Sequence, residues 1–236
     1  MKKKFIEELP GTVQQSLLQY LEPYLTPERN ARLEAVLSKR TQHLTTVVED
    51  TYQERNASAV VRSCDCFGIQ DLHIIENEYE YKVSTRMARG ALKWINTYIY
   101  DGPGNNVTRC LDTLRSLGYK LVVTSPHQQA YTPQTLPLEE KVAVYFGLER
   151  EGVREEVMNR ADYILHIPMV GFTESLNVSV AAALTMNRLG ERMRASDSIN
   201  WQLAPATRQT LKLWWTIRSI PNGMAITEHF LNHHPG

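Results

Sequence analysis

One arginine is conspicuous because of the residues around it. Arg62 lies in the segment 56–67 (NASAVVRSCDCF), whose Ala, Val and Cys residues predict a largely buried helix. A guanidinium carries a fixed fork of N–H donors that matches the oxygens of a phosphate. Arg62 is therefore a candidate phosphate or ribose contact, and the alternative is a surface arginine that keeps its charge in water. Other charged residues could join or oppose it, namely Arg55, Arg150, Arg154, Glu149 and Glu151.

A second candidate is the stretch 167–184 (IPMVGFTESLNVSVAAAL), in which polar residues precede a helix of small residues. Ser175, Asn177 and Ser179 lie where the chain enters this helix. Such side chains cap helices by accepting hydrogen bonds from the first free N–H groups. They can also bind a ligand at the same place, and the residues alone leave both interpretations open.

Several common kinds of active site are absent from the sequence. No GxGxxG follows a predicted strand and no GxxxxGK[ST] occurs, which argues against an ordinary dinucleotide or P-loop site. No serine lies in a GxSxG pattern and no cysteine has well-placed histidine partners, so no nucleophilic triad is expected. The three cysteines form neither an even framework nor a CxxC pair. We expect buried thiols in a reducing cytoplasm and no metal site.

Composition describes an ordinary globular chain. The 236 residues are 42% hydrophobic and include 26 basic and 26 acidic side chains, so net charge identifies no partner. A nucleic-acid binder would need a local basic patch. The start, MKKKFIEE, lacks the apolar core of a signal peptide, and no segment approaches the roughly 18 apolar residues of a membrane span. We expect a soluble, cytoplasmic protein without a membrane partner.

The candidate residues lie between elements that alternate along the chain. Short apolar segments predict strands at 44–49, 71–76, 96–100, 119–124, 141–146 and 163–167. Helical patterns separate most of them, at 56–67 with Asn56 as N-cap, 105–117, 154–160 and 176–194. This alternation predicts an α/β fold with a mostly parallel sheet flanked by helices. Such sheets bind ligands beyond the carboxyl ends of their strands.

Helical segments flank this core on both sides. We divide the chain into an N-terminal helical extension (1–40), a central domain (41–195) and a C-terminal helical tail (196–236). In the tail, residues 203–219 predict an amphipathic helix. Its apolar surface would come from Leu211, Trp214, Trp215 and Ile217. That surface either docks on the same chain or contacts RNA or a second subunit.

Three segments together resemble the motifs of a known family. Residues 56–68 (NASAVVRSCDCFG), 147–152 (GLEREG) and 167–182 (IPMVGFTESLNVSVAA) are similar, in order and spacing, to the motifs of the SpoU group of SPOUT methyltransferases. Within this group the chain most resembles the TrmH type, which methylates the ribose 2′-oxygen of the D-loop guanosine at position 18 of tRNA. The resemblance implies a deep trefoil knot in the sheet, S-adenosylmethionine as cofactor and an obligate homodimer. It requires no metal.

Carried over residue by residue, the resemblance also implies a site within the central domain. Arg62 would be the catalytic arginine, and the residues around it would be Asn56, Glu149, Ser175 and Asn177. The cofactor would be held by Thr124, Gly147, Ile167, Met169 and Leu176. The family assigns the arginine as the base, but a guanidinium has a pKa above about 12. We expect Arg62 to be essential, either as a base in a site that disfavours its charge or as the group that orients the ribose and a phosphate.

The expected partner is tRNA, held by cations on helices at both ends of the core. The candidates are Arg29, Arg32, Lys39, Arg40, Arg55, Arg188, Arg192 and Arg194, each of which could also be an ordinary solvated side chain. The chain departs from the TrmH type in two places. The turn 52–55 (YQER) stands where a histidine-rich turn is usual, and 172–174 (FTE) where Met-Val-Gln is commoner. Alternatives are therefore another tRNA position, a ribosomal RNA site, or a non-catalytic RNA-binding or assembly protein.

Overall fold

A computed structural model of the chain describes residues 3–128, 130–148 and 151–233. These residues divide into two compact units. The larger unit comprises residues 41–201 and contains the sheet. The smaller unit joins residues 1–40 to residues 202–236 and is helical where it is described.

The larger unit is built on a parallel sheet. Its strands are β1 (Leu44–Glu49), β2 (Asp71–Ile75), β3 (Asn96–Tyr100), β4 (Lys120–Thr124), β5 (Val142–Phe146) and β6 (Tyr163–Leu165). All neighbours pair in parallel, in the order β3-β2-β1-β5-β4-β6. β1, β2 and β5 are buried along their whole length, as expected for a sheet covered on both faces. The predicted α/β fold with a parallel sheet is confirmed.

Helices occupy both units. In chain order they are α1 (Lys3–Glu8), α2 (Gly11–Leu21), α3 (Pro27–Leu37), α4 (Glu54–Cys66), α5 (Thr85–Ala88), α6 (Asn106–Ser116), α7 (Glu155–Met158), α8 (Val178–Ala195), α9 (Pro205–Ser219) and α10 (Gly223–His233). Short 3-10 turns lie at Glu22–Tyr24 and Ala91–Lys93. Among the described residues, no helix is both long and apolar enough to cross a membrane.

Helices cover both faces of the sheet, so the larger unit has three layers, with one hydrophobic core on each face of the sheet. On one face of the sheet, Val60 of α4 and Met186 of α8 share a core with Val48 of β1. On the other face, Leu111 of α6 shares a core with Val47. Successive strand residues point to opposite faces, so the neighbours Val47 and Val48 supply both cores. α4 and α8 also pack against each other on their side of the sheet.

α4 begins earlier than the sequence pattern predicted. Its first residue is Glu54 and its N-cap is Gln53, so Asn56 lies inside the first turn. The prediction that Asn56 caps this helix is wrong. The Asn56 side-chain oxygen instead accepts a hydrogen bond from Asn177 Nδ2 at 3.1 Å.

The smaller unit is held together by α9, which packs against α2, α3 and α10. Ile6, Leu17, Leu213, Ile217 and Phe230 contribute to its core. The ammonium of Lys212 on α9 lies 2.6 Å from a carboxylate oxygen of Glu22 and 2.8 Å from one of Glu34. The sequence pattern predicted α9 but neither α1 nor α10.

The tryptophan-bearing face of α9 is turned inward. Leu211, Trp215 and Ile217 are buried and Trp214 is half-buried, so this face docks on its own chain. Arg40 is only 1% exposed, and its guanidinium carbon lies 5.2 Å from the centroid of the Trp215 ring. A buried guanidinium cannot reach a phosphate, so the prediction of Arg40 as an RNA contact is wrong.

Close packing at the start of α10 gives a test of the smaller unit. A Cβ atom at Gly223 would lie 2.0 Å from the carbonyl oxygen of Ile217. Because that oxygen belongs to the backbone, Gly223→Ala should lower the free energy of unfolding of this unit by roughly 1–3 kcal/mol, as overpacking does elsewhere. Denaturant titration followed by tryptophan fluorescence, to which Trp214 and Trp215 contribute, measures the change.

Gly11→Ala is the matched control in the same unit. Gly11 opens α2, and a Cβ atom there would meet no atom within 4 Å. Its free energy of unfolding should therefore change by no more than about 0.5 kcal/mol. Equal stabilities of the two variants would contradict the packing of α10.

Candidate functional site

A pocket opens at the carboxyl ends of β4, β5 and β6, the edge at which parallel sheets bind ligands. Its volume is about 690 Å³. Four backbone segments line it, at 124–128, 146–148, 151–153 and 174–178, together with Met158, Leu165, Ile167, Met169 and Ala181. The lining combines apolar side chains with exposed main chain, which suits an organic ligand with a flat apolar part and a few polar groups.

A tight hairpin contributes one part of this lining. The Leu148 N–H donates to the Gly152 carbonyl at 2.8 Å, and the Gly152 N–H donates to the Leu148 carbonyl at 3.1 Å. A Cβ atom at Gly147 would lie 2.3 Å from the Gly152 oxygen. Gly152 itself has a φ of 75°, in the left-handed region that favours glycine. Both glycines of the GLEREG motif are therefore required by the backbone path.

Asn177 joins the pocket to α4. Its Oδ1 accepts the Ser179 N–H at 2.9 Å and so caps α8. Its Nδ2 donates to Oδ1 of Asn56 at 3.1 Å. Because Asn56 and Arg62 share α4, this bond links the pocket lining to the helix that carries the arginine. The prediction that Asn177 caps the helix is confirmed, and the same side chain also contacts Asn56.

A buried carboxylate ties the hairpin to the sheet. Glu49, the last residue of β1, accepts hydrogen bonds from the Tyr145 hydroxyl (2.6 Å), Arg154 Nε (2.6 Å) and Asn77 Nδ2 (3.1 Å). Burial and the neighbouring Glu49 carboxylate raise the pKa of Tyr145, which keeps the phenol protonated as a donor. The same carboxylate raises the pKa of Arg154. Arg154 lies two residues after Gly152, so its bond to Glu49 fixes the position of the chain just beyond the hairpin.

The next residue, Asp50, holds a second loop. Its Oδ1 accepts the backbone N–H groups of residues 77, 78 and 79 at 2.7, 2.9 and 3.2 Å. The Asp50 backbone has a φ of 40°, an unusual conformation for a residue with a side chain. Arg154 also lies 3.7 Å from Asp50 and 3.6 Å from Glu78. These three carboxylates remove Arg154 from the candidate phosphate patch around Arg62.

The structure brings most of the predicted site residues together. All five predicted cofactor residues line the pocket, and so do Ser175 and Asn177. Asn56 reaches it through Asn177. Glu149 lies outside the described residues. Arg62 is exposed on α4 and is not among the described residues that line the pocket. The catalytic, cofactor-binding and RNA-binding roles of these residues stay predictions.

The predicted RNA contacts differ in their surroundings. Those exposed on the surface are Arg29, Arg32, Lys39, Arg55 and Arg188. Arg192 donates to the carbonyl of Pro133 at 2.9 Å, and burial and the nearby Arg188 lower its pKa. Arg194 donates to the Phe67 carbonyl at 2.7 Å and so supports the fold.

Sequence reasoning missed Glu49, Asp50 and their roles. The available signal was a pair of acids at positions 49 and 50, where the strand predicted at 44–49 ends. Lys or Arg partners for such acids could not be chosen from the sequence, because Arg154 lies about a hundred positions away.

Comparison with known proteins agrees with this architecture, in which a parallel sheet carries a ligand pocket at its carboxyl edge. Residues 43–187 match the family described as SpoU rRNA Methylase. The chain is 36% identical to a tRNA (guanosine(18)-2′-O)-methyltransferase of Borreliella burgdorferi, over 90% of this chain and 94% of the relative. It is 30% identical to the Thermus thermophilus enzyme of the same description, over 80% and 96%.

A solved structure is similar over most of the chain. The A. aeolicus TrmH/SpoU tRNA modifying enzyme superimposes with a TM-score of 0.71 at 26% identity, covering 83% of this chain and 98% of that one. Family match, sequence identity and structure agree. This chain belongs to the SpoU methylase family.

Two substitutions at Asn177 separate its cap from its bond to Asn56. Asn177→Ala loses both and should lower the free energy of unfolding by about 1 kcal/mol, as for other N-caps. Asn177→Ser keeps an oxygen for the Ser179 N–H and should recover most of that stability. If the bond to Asn56 positions the site, methyl transfer by the serine variant should still fall, by roughly tenfold. Thermal unfolding and methyl-transfer assays measure the two effects, and full activity of the serine variant would leave Asn177 only as a cap.

Proposed function

We propose that this protein is an S-adenosylmethionine-dependent methyltransferase that modifies the ribose 2′-hydroxyl of guanosine 18 in the D loop of tRNA. The observation that carries the proposal is the pocket, because the second and third family motifs line it and Asn177 connects it to the first. Relatives at 30–36% identity, matched over nearly their whole length, are named for this reaction. The trefoil knot of the family is part of the proposal.

The residues of the pocket fit such a cofactor. Ile167 and Leu176 offer apolar surface for a purine ring. Gly147 packs against the Gly152 backbone with no room for a side chain, so main-chain atoms rather than a side chain face the pocket at this position. When bound, S-adenosylmethionine supplies an electrophilic methyl group on a sulfonium. The protein then has to hold the ribose at the mouth of the pocket and exclude water from it.

Methylation of the ribose removes the proton of the 2′-hydroxyl, and the protein must stabilise the negative charge that develops on the 2′-oxygen. S-adenosylmethionine would supply the methyl group, and the 2′-hydroxyl would give its proton to solvent at the mouth of the pocket as it accepts that group. Arg62 is exposed on α4 and makes no hydrogen bond or ion pair with another described residue, so it is available to RNA. We assign it the ribose and the adjacent phosphate, whose oxygens match its fork of donors. A charged guanidinium beside the 2′-oxygen favours loss of its proton without itself accepting one.

The proposal extends to the rest of the chain. Residues 41–195 would carry catalysis, and the helical segments 1–40 and 196–236 would add cations for tRNA, with Arg29, Arg32 and Lys39 exposed on or just after α3. A tRNA substrate implies a cytoplasmic protein.

We also propose that the active form is a homodimer. Leu176, Val180 and Leu184 are spaced four residues apart and are 36–49% exposed. Val180 and Leu184 therefore lie on one side of α8, and with Leu176, two residues before the helix, they form an apolar stripe. Val170 and Phe172, just before it, are fully exposed. Leu176 also lines the pocket, so a second subunit on this stripe would cover one side of the site.

A charge in the stripe tests the dimer. Leu184→Glu should shift the protein from dimer to monomer in analytical ultracentrifugation, because an uncompensated carboxylate is costly in an apolar interface. Leu117→Glu is the control, since Leu117 is similarly exposed (53% against 49%) but lies at the end of α6 on the other side of the sheet. A wild-type protein that sediments as a monomer would refute the dimer.

Removing Arg62 tests the assigned chemistry. With radiolabelled S-adenosylmethionine and an unmodified tRNA transcript, the wild type should transfer label, and Arg62→Ala should transfer at least about 100-fold less. Cofactor affinity, measured by titration calorimetry, should stay nearly unchanged because Arg62 does not line the pocket. Arg62→Lys should recover only part of the activity, since it keeps the charge but loses the fork.

Arg109→Ala is the matched control for an exposed arginine. Arg109 lies on α6, which covers the other face of the sheet, and its loss should leave transfer unchanged. A fully active Arg62→Ala variant would refute the role of Arg62. A wild-type protein that binds tRNA but transfers no label would favour the non-catalytic alternative.

A further inference from the structure

Two exposed tyrosines meet beside the first motif. Tyr52, in the turn between β1 and α4, is 66% exposed, and Tyr79, in the loop after β2, is 42% exposed. Their ring centroids are 5.1 Å apart at an interplanar angle of 74°, an edge-to-face pair. Aromatic rings usually bury most of their surface, so a pair this open leaves a ring face free for another flat group.

The loop that carries this pair is fixed to the fold. Asp50 accepts the backbone N–H groups of residues 77–79, including that of Tyr79 at 3.2 Å. Further along the loop, the Tyr81 hydroxyl donates to the Ala57 carbonyl at 2.9 Å, and the Ser84 N–H donates to the Ser58 hydroxyl oxygen at 2.9 Å. The loop is thereby attached to both β1 and α4. A preorganised ring loses little conformational freedom when a ligand stacks on it.

Exposed cations follow Tyr52 along the chain. Arg55 and Arg62 are both exposed on α4 and are seven residues, about two turns, apart, so they lie on the same side of the helix. Ala59 between them is small and half-buried. Tyr52 precedes Arg55 by three residues. The order along this edge is therefore aromatic, cation, small residue, cation.

Nearby acids are mostly paired. Glu78 lies 3.6 Å from Arg154, and Glu80 lies 3.3 Å from Lys82. Glu49 and Asp50 are buried and tied to the loop, the hairpin and Tyr145. Glu54 is exposed at the first turn of α4, where its charge favours the helix N-terminus. The exposed cations Arg55 and Arg62 can therefore contact the phosphates of an RNA chain.

We propose that Tyr52 and Tyr79 form a stacking platform for a tRNA base that flanks the methylated nucleotide. The inference rests on the proposed function, because it takes the ribose held by Arg62 as its reference point. Single-stranded loops of RNA present unstacked bases, and proteins bind these by stacking on aromatic rings while cations hold the phosphates. The platform stands at the turn 52–55, where this chain departs from the family's usual histidine-rich sequence.

Substitutions of Tyr52 test the platform in the full-length protein. Tyr52→Ala should raise the Kd of an unmodified tRNA transcript, and the KM for that tRNA, by about tenfold, the scale of one lost base stack. Tyr52→Phe keeps the ring and should behave like the wild type. Tyr52→Leu keeps apolar surface without a ring and should resemble the alanine variant. Filter binding and steady-state kinetics measure these effects.

Controls separate stacking from other effects. Tyr98→Ala removes a tyrosine as exposed as Tyr79 (41% against 42%) from the edge strand β3 and should leave tRNA affinity unchanged. The Kd of S-adenosylmethionine should not change in any variant, because neither Tyr52 nor Tyr79 lines the pocket. Tyr79→Ala should weaken tRNA binding in the same direction as Tyr52→Ala.

Each contrary outcome has one meaning. Equal tRNA affinity of wild type and Tyr52→Ala would overturn the platform and leave the proposed function intact. Conversion of Tyr52→Ala to a monomer would overturn it by making Tyr52 a subunit contact. A wild type that binds tRNA, loses affinity in Tyr52→Ala and yet transfers no methyl group would overturn the proposed function, and with it the position of the platform beside a methylated nucleotide, leaving the tyrosines as an RNA contact only.

Discussion

Two buried carboxylates at the end of β1 determine how the carboxyl edge of the sheet is assembled. Removing one partner from a buried charge is strongly destabilising, because the charge is left without water or a counter-ion. Glu49 therefore requires the hydroxyl of Tyr145, the amide of Asn77 and the guanidinium of Arg154, which come from three separate parts of the chain. Asp50 requires the N–H groups of the loop at 77–79. The hairpin that lines the pocket and the loop that carries an aromatic surface are consequently fixed to the same strand end.

This arrangement gives the site a rigid side and an open side. The pocket is bounded by backbone that glycine at 147 and 152 allows to approach closely, and by the capped start of α8. On the open side, α4 presents Arg62 to solvent, and the Asn56–Asn177 bond joins this helix to the pocket lining. A cofactor needs the first kind of surface, and a large RNA needs the second. The chemistry proposed here takes place where the two meet.

The sequence predicted the larger unit well because its signals are local. Apolar segments of strand length and glycine-closed helices follow from short patterns, and the motif residues Thr124, Gly147, Ile167 and Leu176 do converge on one pocket. The prediction of Asn56 as an N-cap is wrong because an asparagine before an apolar helical pattern usually caps the helix. Here the Asn56 side chain lies inside the first turn and instead accepts a long-range hydrogen bond from Asn177.

Long-range pairing also explains the features that local sequence patterns do not predict. The local sequence predicts Arg40 to be a surface cation. It is buried because Trp215, far along the chain, packs against it. The ion pair between Glu49 and Arg154 joins residues that no local pattern relates. Burial of the α9 tryptophan face depends on helices from the other end of the chain, which sequence periodicity cannot place.

The most direct test of the central claim is the position of the transferred methyl group. The wild-type protein would be incubated with methyl-labelled S-adenosylmethionine and an unmodified tRNA transcript, and the product digested by nucleases and mapped by mass spectrometry. We expect one added methyl group, on the ribose 2′-oxygen of guanosine 18 in the D loop. A methyl group on a base, on a ribose outside the D loop, or on no nucleotide would contradict it.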